Sequence, residues 1–391
     1  MVLHRKKTEG ADWLPLSAGE RAVGIEVLVN GPLSRGELAR RLGLSAGSLT
    51  RLTKPLIESG LLMEVAEEAG GAVRRHGRPS QPLDIVMDSH DFAGFKITED
   101  MVYGVVTTLR GEVVERHSTP LTTPDPDEVA NLLAAVAREF ATRRPRLAGI
   151  GIGVGGRVEG RSVVSESVFL PWRDVPLAAL VEERTGLPVV VDNDVAALVE
   201  AESRFGAGRG LARFAVLTIG AGVGYGLALD GKVVRSAEDG LDIARRWIVD
   251  PAGPLAADGS RGSAVALLTI PGICSQVRAA LGRELDYEEI LQRAAAGEQP
   301  AARVIDEAAR GLGTLVAQIA NFAMPEKILL AGEGLGLMDV AGPAVEEAVR
   351  ANRHPHADPV DLETKISGFH DWARGAAVLA IQVLVLGVGG S

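Results

Sequence analysis

The feature that most constrains the fold of this chain is a series of three short helices predicted within its first 60 residues, two of which begin with a start signal. Ser17 is followed three positions later by Glu20, and Ser34 by Glu37, which is the Ser-x-x-Glu spacing of a capping box. Ser45 opens a third segment, whose apolar residues recur at helical spacing: Leu49, Leu52, Leu56 and Ile57. The sequence therefore predicts three short helices at the beginning of the chain.

The second and third of these helices are separated by a tight turn. Residues 34–45 read SRGELARRLGLS, in which Gly43 can adopt a positive φ at little cost. Two helices joined in this way form a helix-turn-helix, whose second helix lies in the major groove of DNA. The predicted DNA contacts on that helix are Ser45, Ser48, Thr50, Arg51, Thr53 and Lys54. The alternative interpretation is a three-helix interaction module that never touches DNA.

Two β-strands are predicted behind the helices, over residues 61–65 and 82–86. The segment between them is rich in glycine and arginine, which is typical of the wing of a winged helix. Arginine suits a narrow minor groove, so further DNA contacts are predicted at Arg74, Arg75 and Arg78. Alternatively, these arginines belong to a solvated loop.

The distribution of charge agrees with a DNA-binding segment at the front of the chain. Residues 1–63 hold nine Lys and Arg against six Asp and Glu, a net charge of +3. The whole chain carries −10, so the remainder carries −13. Because nucleic-acid binding depends on local patches, the acidic total does not exclude it.

Length and composition limit the remaining possibilities. A chain of 391 residues is expected to form two or three domains. No apolar stretch is long enough to span a membrane, and the first residues lack the apolar core of a secretory signal. The single Cys274 excludes an internal disulfide and a cysteine-based zinc site. We expect a cytoplasmic protein with no membrane partner and no cofactor.

From about residue 92 onward, predicted strands alternate with helices. Strands are predicted over residues 102–109, 147–154, 188–191, 214–218 and 328–332, and a helix over 127–141. This series of elements begins with a β-hairpin, and the same series occurs twice along the chain. The repetition indicates two α/β lobes with a cleft between them. The predicted domains are therefore a winged helix-turn-helix over residues 1–88 and a two-lobed domain over 89–391.

Five ordered stretches carry a resemblance to a known family: residues 171–177 (PWRDVPL), 187–195 (LPVVVDNDV), 220–224 (GAGVG), 249–254 (VDPAGP) and 321–334. On these motifs the chain resembles the ROK family of repressors, uncharacterised reading frames and kinases. The resemblance implies an α/β fold in which a winged helix-turn-helix precedes a two-lobed actin-like ATPase domain. It covers nearly the whole chain, as in the sugar-responsive repressors of the family.

The chain departs from the kinases of this family at the phosphate-binding hairpin. Their Asp-x-Gly-Gly-Thr-Lys motif falls on residues 96–101, which begin with Lys96 and include Glu99 and Asp100. Two acids where a polyanion would bind oppose phosphate binding by repulsion. The second glycine loop, residues 220–226, is present, and it either contacts phosphates or only packs a turn.

The resemblance places the sugar-contacting pair of the family on Asn193 and Asp194, with Asp194 at the position of the catalytic base. The alternative is that the two residues cap a helix. The family's zinc-binding cysteines fall on Ala256, Asp258 and Ser263 and its histidine on Arg246, which implies that no metal binds here.

The arginines near this lost zinc site have two open interpretations. In the first, the arginines bind an anionic ligand, and Arg246 is the candidate residue. In the second, they form ion pairs with nearby acids. The arginines are Arg245, Arg246 and Arg261, and the acids are Asp239, Asp242 and Asp258.

Together these features predict a DNA-binding regulator, and a repressor in particular, that acts on carbohydrate or secondary metabolism without being an enzyme. It would bind operator DNA as a homodimer or a dimer of dimers and respond to a sugar or an anionic metabolite. Two alternatives remain: a sugar kinase with a regulatory DNA-binding head, and a regulator without a small-molecule effector.

Overall fold

The computed structural model describes residues 16–66, 81–236, 238–365 and 368–387. Along the chain these residues form a small head, a first α/β lobe and a second α/β lobe, and a last helix returns to the first lobe.

The head consists of three helices and a two-stranded antiparallel sheet: α1 (Ala18–Asn30), α2 (Arg35–Leu42), α3 (Ala46–Glu58), β1 (Leu62–Glu64) and β2 (Leu83–Ile85). Ser17, Ser34 and Ser45 are the N-caps of the three helices, as predicted, because each side-chain oxygen accepts a backbone N–H of the first turn. Gly43 ends α2 with φ of +64°, which confirms the predicted turn. The arginine-rich stretch predicted as the wing tip, with Arg74, Arg75 and Arg78, lies outside the described residues.

The first lobe is built on a five-stranded sheet with the order β10-β6-β3-β4-β5 and a small sheet with the order β7-β8-β9. Its elements are β3 (Asp91–Ile97), β4 (Met101–Thr107), β5 (Val113–Pro120), α4 (Pro126–Arg143), β6 (Leu147–Val154), β7 (Gly156–Glu159), β8 (Val163–Ser167), β9 (Arg173–Val175), α5 (Leu177–Thr185), β10 (Val189–Asn193) and α6 (Asp194–Phe205).

The second lobe repeats the topology of the first in the order β13-β12-β11-β14-β15. In each sheet an antiparallel hairpin of three strands continues into two parallel strands on the other side. The elements are β11 (Arg213–Ile219), β12 (Val223–Leu229), β13 (Lys232–Val233), α7 (Ala264–Leu268), α8 (Ile270–Leu281), α9 (Tyr287–Ala295), α10 (Ala301–Phe322), β14 (Lys327–Ala331), α11 (Leu337–Ala351) and β15 (Leu362–Lys365). The predicted duplication is confirmed.

A final helix, α12 (Phe369–Ala380), leaves the second lobe and lies on the sheet of the first. Close approach is possible because β3 and β6 present glycines beneath it. A Cβ on Gly151 would overlap the carbonyl of Ala376, and one on Gly94 would overlap that of Ala373. Small residues on both surfaces therefore fix the helix directly against the sheet.

The head and the first lobe share one buried apolar cluster. Val27 and Leu28 of α1 belong to it together with Phe92 of β3 and with Leu386, which follows α12. An ion pair between Arg110 and Asp84 adds a polar contact between the β4–β5 turn and the head. The head is thus packed against the body in this arrangement.

Within the part of the chain that the structure describes, none of the helices combines the length and the apolar character that crossing a membrane requires.

Candidate functional site

The outer face of α3 presents polar side chains to solvent. Ser45, Thr50, Arg51 and Lys54 are exposed and Ser48 is half-buried, as the prediction of a DNA-facing helix requires. Leu49 and Leu56 on the opposite face are buried in the head. The helix is therefore amphipathic, with its hydrogen-bond donors on the free side.

Thr53 is a correction to the predicted set. Its side chain is only 1% exposed, and its hydroxyl donates to the carbonyl of Thr50, 3.3 Å away. Positions 49, 53 and 56 recur at intervals of four and three residues, so Thr53 belongs to the stripe of Leu49 and Leu56 that faces the core of the head. It cannot contact DNA while the head is folded.

Arg51 differs from the neighbouring arginines in having no partner within the described residues. Arg41 of α2 is paired with Glu37 at 2.8 Å and with Glu26 at 2.9 Å. Lys54 lies 3.7 Å from Glu58, a loose contact between two exposed side chains. The exposed guanidinium of Arg51 is therefore free to pair with an external anion.

A cavity of about 340 Å³ lies between the two lobes. It is lined by the β3–β4 turn and the start of α6 from the first lobe, by the β11–β12 loop from the second, and by the beginning of α12. Asn193 and Asp194 both line it, as the prediction of a ligand-facing pair requires. The apolar part of the lining comes mainly from Val168, Phe169, Tyr225, Ile243, Phe369 and Trp372.

Asp194 forms an ion pair with Lys96 of β3 at the floor of this cavity. Both side chains are buried, and the ammonium also lies 5.4 Å from the ring centre of Trp372. An aspartate acts as a base only if an oxygen can accept the substrate's proton. Here one carboxylate oxygen is already bound to the ammonium of Lys96, a relationship between residues 98 positions apart that the sequence analysis did not foresee.

Asn193 is the N-cap of α6, and both ends of its amide are engaged in the fold. Its Oδ1 accepts from the backbone N–H of Ala196 at 3.1 Å, and its Nδ2 donates to the carbonyl of Gly156 at 3.0 Å. The alternative interpretation of a capping residue is therefore confirmed for Asn193, although the residue also lines the cavity.

The second glycine loop is engaged by Glu333, whose role the sequence analysis missed. The backbone N–H of Ala221 donates to Oε1 of Glu333 at 2.6 Å. A side chain on Gly220 would overlap the same carboxylate. Backbone N–H groups of glycine loops commonly bind phosphate oxygens. In this chain a carboxylate from residue 333 occupies that donor.

The lining of the cavity is strongly acidic. Of the described residues that line it, one is basic, Lys96, and seven are acidic: Glu99, Asp100, Asp194, Glu238, Asp239, Asp242 and Glu333. Burial raises the pKa of Asp242 to about 6, against an attraction to Arg245, and the neighbouring Asp194 adds to the increase. A field of this sign disfavours phosphates and other anions.

Arg246 is a second correction, because it does not line the cavity. Its side chain is 68% exposed, and its Nε lies 3.6 Å from Oδ2 of Asp258. Arg245 lies 3.8 Å from Asp242 in the same way, so the ion-pair interpretation describes both arginines. Arg261 instead donates to the carbonyl of Gly253 at 3.0 Å.

The loop at the family's zinc position is held by hydrogen bonds. Oδ1 of Asp258 accepts from the backbone N–H of Ser260 at 3.0 Å and from its hydroxyl at 2.6 Å. The hydroxyls of Ser260 and Ser263 lie 2.8 Å apart. Among the described residues, no group of three or more His, Cys, Asp or Glu could hold a metal ion.

A helix-turn-helix head joined to a two-lobed domain with this cleft defines a class of protein, namely DNA-binding regulators with a two-lobed α/β body. Comparison with known families agrees on both parts: a model of winged helix-turn-helix DNA-binding matches residues 25–63, and the model of the ROK family matches residues 93–383. The chain belongs to the ROK family.

Two curated relatives are named transcriptional repressors. The DNA-binding transcriptional repressor Mlc of Escherichia coli (strain K12) is 23% identical over 366 residues, which cover 89% of each chain. The xylose repressor of Bacillus spizizenii is 24% identical over 78% of this chain and 79% of its own. The chain is a DNA-binding transcriptional regulator of this family.

Solved structures include both regulators and kinases. A ROK family transcriptional regulator, described as a homologue of the E. coli MLC protein, superposes with a TM-score of 0.78 at 26% identity and covers 95% of this chain and 98% of its own. A ROK hexokinase from Thermus thermophilus superposes with a TM-score of 0.63 at 26% identity and covers 74% of this chain and 97% of its own. The likeness to the hexokinase is confined to three quarters of the chain.

Proposed function

We propose that this chain represses transcription by binding operator DNA as a homodimer, and that its two-lobed domain senses a ligand without transferring phosphate. The observation that carries the proposal is Arg51, an exposed arginine on the second helix of a helix-turn-helix that has no partner among the residues the structure describes. The proposed domains are residues 1–88 for the head and 89–391 for the body.

Helix α3 would enter the major groove, where serine, threonine and arginine donors reach base edges and phosphates. The proposed contacts on the helix are Ser45, Ser48, Thr50, Arg51 and Lys54, and those of the wing are Arg74, Arg75 and Arg78. A twofold dimer would place two such helices one DNA turn apart, on a palindromic operator. Light scattering on the purified chain tests the dimer, and a single-chain mass at micromolar concentration would contradict it.

Three observations support the absence of phosphoryl transfer. Lys96 binds the carboxylate that would take the proton from a sugar hydroxyl. Glu333 binds the backbone donor of the glycine loop. The seven acids of the cleft repel the phosphates of ATP. We therefore expect no turnover of ATP with any hexose.

A kinase with a regulatory head is the second candidate, favoured by the glycine loop at residues 220–226 and by the likeness to a hexokinase. Incubating the chain with magnesium, ATP and a panel of hexoses separates the two proposals. Hexose-dependent release of ADP, absent from a variant Asp194→Asn, would establish the kinase.

The cleft remains suited to a neutral, hydroxyl-bearing ligand. Carboxylates accept hydrogen bonds from sugar hydroxyls, and aromatic rings such as Phe169 and Trp372 pack against the apolar faces of sugars. An anionic effector is disfavoured at this position. A ligand that prefers one arrangement of the lobes would shift the position of the two heads and thus the affinity for DNA.

Selection of genomic fragments tests the DNA-binding part directly. Fragments retained by the full chain at moderate salt are sequenced, and a shared palindrome is expected. Thermal shift against neutral sugars then tests the effector, because a ligand bound only by the folded state raises the melting temperature. If no sugar raised it, the third alternative, a regulator without an effector in the cleft, would be favoured.

A further inference from the structure

A second cavity of about 580 Å³ lies where the head meets the body. The head contributes the end of α1 and Gly31, while the body contributes the β4–β5 turn, the segment after α6, the end of β15 and the first turns of α12. The cavity is separate from the cleft between the lobes, with which it shares no lining residue.

The lining of this second cavity is basic, in contrast to the acidic cleft. Its five basic residues are Arg110, Arg116, Arg209, Lys365 and Arg374. Two acidic residues also line it, Glu112 and Asp371. Because the chain as a whole carries −10, a local excess of positive charge at an internal junction is not a consequence of composition.

Three of the five cations already have carboxylate partners. Arg110 is paired with Asp84 of the head. Lys365 and Arg374 share Glu202, with Lys365 Nζ 2.6 Å and Arg374 Nη1 3.7 Å from its Oε1. These pairs hold the walls of the cavity in place.

The other two cations, Arg116 of β5 and Arg209 after α6, differ from this group. Within the ranges that the structure describes, neither makes an ion pair or a side-chain hydrogen bond. Both are exposed. The cavity therefore offers two guanidinium groups whose donors are available to a ligand.

We propose that this cavity binds a small anion with two or more negative charges, such as a phosphate or a phosphate ester. Arginine is suited to such ligands because its planar guanidinium donates two parallel hydrogen bonds to phosphate or carboxylate oxygens. The proposal goes beyond the function proposed above, because neither the DNA contacts of α3 nor the cleft involves this cavity.

The size of the cavity favours a small ligand over a DNA backbone. The side chains of Arg374 and Arg110 are only 15% and 21% exposed, and both are paired with carboxylates, so the charge available to a ligand is that of the exposed Arg116 and Arg209. The volume of the cavity, about 580 Å³, suits a small anion rather than a duplex. Once bound, it would contact the body at Arg116 and Arg209 in a cavity that the head also lines, and would favour the packed arrangement of the two.

Isothermal titration of the full chain at low salt tests the proposal, with fructose 1,6-bisphosphate and inorganic phosphate as probes and fructose as the uncharged control. We expect saturable binding of the bisphosphate, weaker binding of phosphate and none of fructose. The double variant Arg116→Ala/Arg209→Ala should weaken bisphosphate binding about tenfold or more, since it removes two charge-assisted contacts. Arg173→Ala, at a 77% exposed arginine outside both cavities, should bind as the unmodified chain does.

The titration contains no DNA, so its failure would leave the proposed repressor function untouched. Absence of bisphosphate binding, or equal binding by the double variant, would overturn the proposal. Equal losses in the double variant and in Arg173→Ala would also overturn it, by showing a general charge effect. If the unmodified chain bound no bisphosphate and the double variant bound DNA more weakly than the unmodified chain, the two arginines would be assigned to DNA. That result would overturn the proposal as well.

Discussion

Lys96 on β3 and Asp194 at the start of α6 form a buried ion pair at the floor of the cleft between the lobes. The pair joins the strand that carries the kinases' phosphate hairpin to the helix that carries their catalytic base. Lys96 stands where the resemblance places the first aspartate of the kinases' hairpin, and it binds the carboxylate at the position of their catalytic base.

The first prediction concerns the stability that depends on this pair. Lys96→Met leaves the carboxylate of Asp194 buried without a charged partner, and loss of one member of a buried pair costs about 3 to 5 kcal/mol. We expect a fall of this size in the free energy of unfolding, measured by urea denaturation at neutral pH. Arg303→Ala, which removes an exposed pair with Glu307, is the control and should cost less than about 1 kcal/mol.

A double variant tests whether the loss of stability comes from the unpaired charge of Asp194. Lys96→Met combined with Asp194→Asn removes the unpaired carboxylate, so part of the lost stability should return. A Lys96→Met variant no less stable than Arg303→Ala would show that the two groups do not interact as described.

The second prediction follows from the buried position of Thr53. Thr53→Val keeps the shape of the side chain, so it should leave the affinity for operator DNA unchanged and lower the stability by only about 1 kcal/mol. Fluorescence anisotropy with a labelled operator measures the affinity. A loss as large as that of Arg51→Ala would place Thr53 at the DNA after all.

The third prediction is a pH dependence that originates in Asp242. Its pKa is raised to about 6 in the folded chain, so the folded state keeps the proton at a pH where the unfolded state has lost it. The contribution of this group to stability is therefore present below about pH 4 and is lost as the pH rises through 6.

Asp242→Asn removes this loss, and asparagine tolerates the left-handed backbone of this position, where φ is 52°. The variant should gain about 2 kcal/mol relative to the unmodified chain between pH 4.5 and 7.5. Denaturant titrations at the two pH values measure the difference. A difference that does not change with pH would contradict the raised pKa.

The fourth prediction concerns metal removal. Because Asp258, Ser260 and Ser263 hold the loop at the family's zinc position by hydrogen bonds, dialysis against EDTA should leave the melting temperature unchanged. Ser263→Ala should lower the stability by about 1 kcal/mol, as expected for a buried hydroxyl that loses its partner. A melting temperature that falls with EDTA and returns with zinc would be the contrary result.

Features that depend on residues close together in the sequence could be predicted together with their positions. The three capping serines and the turn at Gly43 involve residues within four positions of one another. The strand predicted over residues 147–154 coincides with β6 because a buried parallel strand is apolar throughout. The duplicated lobes followed from the repeated order of such segments.

Contacts between distant residues could not be predicted in the same way. Lys96 and Asp194 are 98 positions apart, and Ala221 and Glu333 are 112 apart, so neither pair leaves a local pattern. The error at Thr53 has a different cause. A threonine between leucines at helical spacing is compatible with either face, and only the packing of α3 against α1 and α2 decides that it is buried.

The most direct test of the central claim is the affinity of the full chain for a selected operator, with and without Arg51. We expect Arg51→Ala to weaken binding by about 1 to 3 kcal/mol, while Arg303→Ala, far from the head in sequence, binds normally. The affinity of the unmodified chain should fall steeply as salt increases, because phosphate contacts release counterions. Equal affinity of Arg51→Ala and the unmodified chain, at every salt concentration, would contradict the assignment of α3 to the major groove.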